Sequence, residues 1–160
     1  MARSSATRKI ILAVLLIVCM AVLTKYILFK NSAALSKKNF GMECSQKNWK
    51  AGLAKANFEP FRTIHLMQGN NVSTVYMIEN LAGNIVGFIP LGILFPLLFP
   101  FFRSAWKTAL LVFVISLAFE CIQLCTGLGI FDVDDLILNV AGGVTGYIVY
   151  KITGWLFAGQ

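Results

Sequence analysis

The sequence predicts an all-α integral membrane bundle of four transmembrane helices, with one long loop between the first and the second. Three observations carry this. The chain is 58% hydrophobic and 13% charged with a mean hydropathy of +0.74, more apolar surface than one soluble core of 160 residues hides. Four apolar runs approach the ~20 residues that cross a ~30 Å hydrocarbon core at ~1.5 Å per residue. The charges lie largely between those runs.

The first run, 10–29, follows Arg8 and Lys9. It is too long for the core of a cleaved signal peptide and has no small-x-small exit. Val18 is too bulky to precede Cys19 in a lipoprotein cleavage box. The run therefore reads as an uncleaved helix, with Lys25 snorkelling near its far end. The stretch 30–74 is polar and too long for an idle connector. Within it, Ser45 to Lys55 reads either as an interfacial helix with Trp49 in the head-group layer or as a solvated loop. His65 reads as a surface histidine.

The second run is 75–99, where Pro90-Leu91-Gly92 predicts a kink. The third is 107–124 and the fourth 135–157. The links 100–106 and 125–134 are short, so consecutive helices run antiparallel. Glycines at GxxxG spacing, Gly83 with Gly87 and Gly142 with Gly146, predict notches for close helix packing.

Fourteen Lys and Arg against seven acids give +7. This charge occupies the tail and loops, with no stripe on a folded domain, which argues against nucleic acid and for anionic lipid head groups. Cys19, Cys44, Cys121 and Cys125 form no CxxC pair, zinc-ligand spacing is absent, and no cofactor is expected. Cys121 and Cys125 read as small buried apolar side chains. Basic residues divide nearly evenly between the two sides. The denser short segments, Arg3-Arg8-Lys9 and Arg103–Lys107, favour cytoplasmic N- and C-termini.

Polar residues form stripes. Asn80, Asn84 and Gly87 share one face of the second helix; Ser116, Glu120 and Gln123 one face of the third; Asp135, Asn139, Gly142 and Gly146 one face of the fourth. Amides and carboxylates facing lipid would cost several kcal/mol each, about 2.5–3.5 kcal/mol for an acid at mid-membrane. The stripes should therefore face one another. The second and fourth helices start on the side where the third ends, so Glu120 and Gln123 come near Asn80, Asn84, Asn139 and the Asp132, Asp134, Asp135 turn. Arg62, at the end of the long loop, belongs to the same side.

Glu120 needs something to offset its burial: Asn84, Asn139, Arg62 or a proton. It reads as functional or as a polar clamp. Asp132, Asp134 and Asp135 read as caps of the fourth helix, and less readily as a cation site, since a calcium loop's glycine and final glutamate are missing. The spacing Asn80-x3-Asn84-x2-Gly87 echoes Asp135-x3-Asn139-x2-Gly142, either by chance or as a parallel repeat.

Four stretches resemble the VanZ-like family of small membrane proteins. Asn57-Phe58-Glu59-Pro60-Phe61-Arg62-Thr63-Ile64 is similar to its N-x-x-P-F-R-T-I stretch, with Glu59 an added acid. Asn80 to Gly92 is similar to its N-x-x-x-N-x-x-x-F-x-P-x-G helix. Ser116, Glu120 and Gln123 match S-x-x-x-E-x-x-Q. Asp132 to Gly146 is similar to its D-x-D-D-x-x-x-N-x-x-G-G closing signature. The resemblance covers 57–150. It implies a bacterial cytoplasmic-membrane protein with a cell-envelope role, the founding member being associated with low-level teicoplanin resistance. It does not give a reaction.

Three functions are open at this point. In the first, Arg62, Asn80, Asn84, Glu120, Gln123, Asp132, Asp134, Asp135 and Asn139 form a binding site. Its ligand would be a polar lipid head group, a lipid-linked cell-wall component or a lipoglycopeptide. In the second, Glu120 or Asp135 is the base of an enzyme acting on a lipid-linked precursor, and Arg62 stabilises developing charge. In the third, the chain is a small lipid transporter, and so a homo-oligomer, because four helices enclose little space.

Overall fold

The computed structural model describes residues 2–28, 46–62 and 74–158. His65 and Cys44 lie outside the described residues. Among the described residues five α-helices follow in order: α1 (Ala2–Leu28), α2 (Gln46–Leu53), α3 (Thr74–Leu98), α4 (Ala105–Thr126) and α5 (Val133–Ala158). Four carry stretches long and apolar enough to cross a membrane: Ala6–Leu28, Asn80–Leu98, Ala105–Thr126 and Val133–Trp155. The fold is the all-α, four-span bundle the composition predicts.

The closest pairing joins α3 and α5, which are not consecutive and run parallel. Glycine explains it. A Cβ on Gly142 would collide with the Ile85 carbonyl oxygen, one on Gly146 with that of Ile89, and one on Gly92 with that of Gly143. Without side chains the two backbones touch, and dispersion and weak Cα–H···O contacts take over where no hydrophobic gain exists in lipid. The predicted notch at Gly142 and Gly146 is therefore the α3–α5 seam. Gly83 and Gly87 serve a different partner: they face Tyr26 and Leu23 of α1.

α3 runs helical through both Pro90 and Pro96. Each proline withholds one N–H, so the carbonyls of Val86 and Gly92 lose their usual donors. A tight turn, Pro100–Phe102, then leads to α4. Here the Thr108 hydroxyl donates to the Phe102 carbonyl at 2.7 Å and the Tyr147 hydroxyl to that of Arg103 at 2.9 Å. These bonds tie α4 and α5 to the turn at the end remote from the acids.

α4 packs on α5 with Val112 against Gly143. The core gathers Leu23 and Ile27 from α1, Phe88 and Leu91 from α3, and Val112 and Phe119 from α4. α4 ends at Gly127, whose φ of 69° is the left-handed cap that glycine adopts without steric cost. Cys121 is exposed on the outer face of α4 and Cys125 is half-buried, so the expectation that both are buried fails. They lie one turn apart on a face that points away from the inward stripe of Ser116, Glu120 and Gln123, and an apolar thiol is stable against acyl chains.

Of the two readings of the stretch around Trp49, the helix is the one the structure adopts, over Gln46–Leu53. α2 packs on the end of α4, with Gly52 against the Leu124 side chain and the Asn48 amide donating to the Thr126 carbonyl at 3.3 Å. Trp49 is 40% exposed on its outer face.

Candidate functional site: a polar cluster at one end of the bundle

The site is built around the first turn of α5, whose N–H groups have no partners within the helix. Asp132 is the cap: its carboxylate accepts the Asp134 N–H at 2.9 Å. The Asn57 carbonyl takes the Val133 N–H at 3.1 Å, while the Asn57 N–H reaches the Phe131 carbonyl at 2.8 Å. This one-residue parallel bridge between Asn57 and Asp132 is reinforced by the Asn57 amide, which donates to the Asp132 carboxylate at 2.8 Å. Asn57 also accepts the Glu59 N–H at 3.1 Å, turning the chain into Pro60. The rings of Phe58 and Phe131, 5.3 Å apart, pack beside the bridge.

The other acids hold different elements. Asp134, 2% exposed, accepts the Phe61 N–H. Asp135 accepts the side-chain amide of Asn84 on α3. The run Asp132-Val133-Asp134-Asp135 is thus a three-way clasp joining cap, loop and α3. Among the described residues no three His, Cys, Asp or Glu side chains are grouped to share a metal ion.

Glu120 is 1% exposed and accepts the Asp132 backbone N–H at 3.0 Å. The sequence offers Asn84, Asn139, Arg62 or a proton as its compensation; this N–H, directly before α5, is a partner outside that set. Asn139 is engaged with Ser116 at 2.8 Å and Arg62 with Glu59. A hydrogen bond to a charged group is worth about 1.5–3 kcal/mol, and a helix N-terminus adds about 0.3–1 kcal/mol. The sum is comparable to the ~2.5–3.5 kcal/mol cost of an acid at mid-membrane.

The remaining sequence-predicted residues divide. Gln123 donates to the Ile27 carbonyl at 2.9 Å, so its amide is bound to the last described turn of α1. Asn139 is 3% exposed and spends its N–H on Ser116. Among the described residues the side-chain carbonyl oxygens of Asn80 and Asn139 are buried and have no hydrogen-bond partner. Arg62 reaches the cluster only through the backbone of its neighbour Phe61; its guanidinium lies 3.9 Å from Glu59, with the two side chains 51% and 78% exposed.

Sequence reasoning leaves Asn57 out of the site. Its signal was present, since an asparagine before x-x-Pro favours an Asx turn, but its partner at Asp132 lies 75 residues away. The echo between α3 and α5 is out of register in space: Asn84 meets Asp135, and Gly142 packs on Ile85.

Four spanning helices and a buried polar clasp at one end define a small multi-pass membrane protein. The chain belongs to the VanZ/LLP1 family, whose family model matches residues 8–155, and it is a VanZ-type membrane protein. That span reaches beyond the quoted motifs to include α1. No curated protein and no solved structure matches the chain.

Proposed function

We propose that this protein binds the polar head of a membrane-borne amphiphile, a lipid-linked cell-wall component or a lipoglycopeptide. Binding takes place at the outer face of the bacterial cytoplasmic membrane, with both termini cytoplasmic, and contributes to resistance to teicoplanin-type antibiotics. The observation that carries this is the pair of buried amide oxygens on Asn80 and Asn139, which lack donors among the described residues. An unsatisfied buried acceptor costs about 1–3 kcal/mol; a ligand N–H or O–H would recover it. The acids in this reading are framework: they hold the loop, α3 and α5 in register. Arg62, exposed above them, supplies the cation for a phosphate or carboxylate. Membership in the VanZ/LLP1 family supports an envelope role.

The test is antibiotic susceptibility of a teicoplanin-sensitive host expressing the wild-type chain, Arg62→Ala or Glu120→Gln, with protein levels followed by immunoblot. Both variants accumulate normally and return the host to empty-vector susceptibility. Full protection by both variants removes the reading.

A further inference from the structure

Residues 46–62 carry Lys47, Lys50, Lys55 and Arg62 against a single acid, Glu59. Lys50, Lys55 and Arg62 are exposed. So are four large apolar side chains, Trp49, Leu53, Phe58 and Phe61, each between 40% and 60%. The acids beneath are placed the other way, since Glu120 and Asp134 are buried. The outside of this segment is therefore both cationic and apolar, a combination that marks an interaction surface.

Two contacts fix its depth. α2 packs on Leu124 and Thr126, the last turn of the span Ala105–Thr126. The loop after it pairs Asn57 with Asp132, and Val133 opens the next span. These spans have 22 and 23 residues, so at ~1.5 Å per residue each crosses a ~30 Å hydrocarbon core from rim to rim. The end of one span and the start of the next thus lie where acyl chains give way to head groups. In water the four apolar side chains would stay uncovered. Among acyl chains the lysines would lose their solvation. The head-group layer accepts both, with aromatic rings at its base and cations among its phosphates.

We infer that residues 46–62 lie as a platform in the head-group layer at the polar-cluster end and hold anionic lipids against Lys50, Lys55 and Arg62. The partner is the bilayer surface itself, so the inference needs no ligand at Asn80 or Asn139. The platform is tied to α4 and α5 at three points: the Asn48 amide on Thr126, the Asn57–Asp132 bridge and the Phe61 N–H on Asp134. Its seating on lipid is thereby linked to the clasp, because Asp132 and Asp134 bind the platform and open α5 at once.

The test uses the full-length chain with Trp106→Phe and Trp155→Phe, which leaves Trp49 as its one tryptophan. Both replaced rings are well exposed, at 69% and 78%, so phenylalanine disturbs no core. The protein is reconstituted in phosphatidylcholine vesicles containing phosphatidylglycerol, and Trp49 fluorescence is quenched by lipids brominated near the head group or near the chain end. Shallow bromine quenches Trp49 more than deep bromine, and aqueous acrylamide quenches it weakly. At equal mole fraction, shallow-brominated phosphatidylglycerol quenches roughly twofold or more above shallow-brominated phosphatidylcholine. That excess shrinks when Lys50→Gln and Lys55→Gln are combined, and again in high salt. Moving the reporter with Trp49→Phe and Phe58→Trp reads the depth a second time, in the loop, and gives the same shallow profile. Acrylamide quenching equal to that of free tryptophan, with no effect of bromine, overturns the inference, because the segment then stands in water. Stronger quenching by deep bromine overturns it as well, and so does equal quenching by the two lipid classes.

Discussion

The carboxylate of Asp134 accepts the backbone N–H of Phe61, a residue 73 positions earlier in the chain. Through this bond the first turn of a membrane helix holds the loop that carries Arg62. Asp134→Ala leaves the Phe61 N–H without its acceptor and should cost about 1–3 kcal/mol. Asp134→Asn keeps a carbonyl acceptor and should cost less. Limited proteolysis in detergent checks this, with cleavage near 57–62 rising for alanine and much less for asparagine.

Phe61 itself has φ 65°, a left-handed conformation that costs an L-residue about 1–2 kcal/mol. Its ring is 52% exposed, so little packing is lost on truncation. Phe61→Gly should therefore match or exceed wild-type stability. Phe61→Val, β-branched in the same conformation, should fall below Phe61→Gly by about 1 kcal/mol or more. Thermal unfolding of the purified variants reads the order.

The bond from Asn84 to Asp135 joins the two parallel helices at their polar end. A double-mutant cycle of Asn84→Leu and Asp135→Leu should give a coupling of about 0.6 kcal/mol, the average for hydrogen bonds between membrane helices, and no more than about 1.7 kcal/mol. Unfolding by titration with a denaturing detergent measures it. Additive single effects would mean that the contact contributes nothing to stability.

Glycine positions give the sharpest contrast in steric cost. Gly146→Leu drives a side chain into the Ile89 carbonyl, whereas a Cβ on Gly154 meets nothing within 4 Å. Gly146→Leu should abolish accumulation by separating α3 from α5, and Gly154→Leu should leave it unchanged. Membrane-fraction immunoblots decide.

Architecture was legible in the sequence because spanning helices announce themselves by length and apolarity, and the inward stripes by spacings of three and four. Glu120 had to face inward, since lipid offers it no partner. The identity of that partner was not legible. One partner is a backbone N–H at Asp132, and backbone groups carry no sequence signature. Nor did the sequence distinguish Gln123 as the residue that binds α1, because its acceptor is the carbonyl of Ile27 and any residue has one. The dominance of the α3–α5 pairing was half-visible: the GxxxG spacing marked a notch but did not name the helix that fills it. Asn57 shows the same limit, because its bond to Asp132 closes 75 residues of chain.

The Gln123 amide that binds the last described turn of α1 comes 96 residues after the carbonyl it satisfies. At synthesis rates of about 5–20 residues per second, it trails Ile27 by roughly 5–20 seconds. For that interval α1 has its contacts with the second span, at Gly83 and Gly87, but not this bond. The third span then adds the amide, so α1 is fastened in two stages, first by glycine contacts to the second span and then by a hydrogen bond from the third.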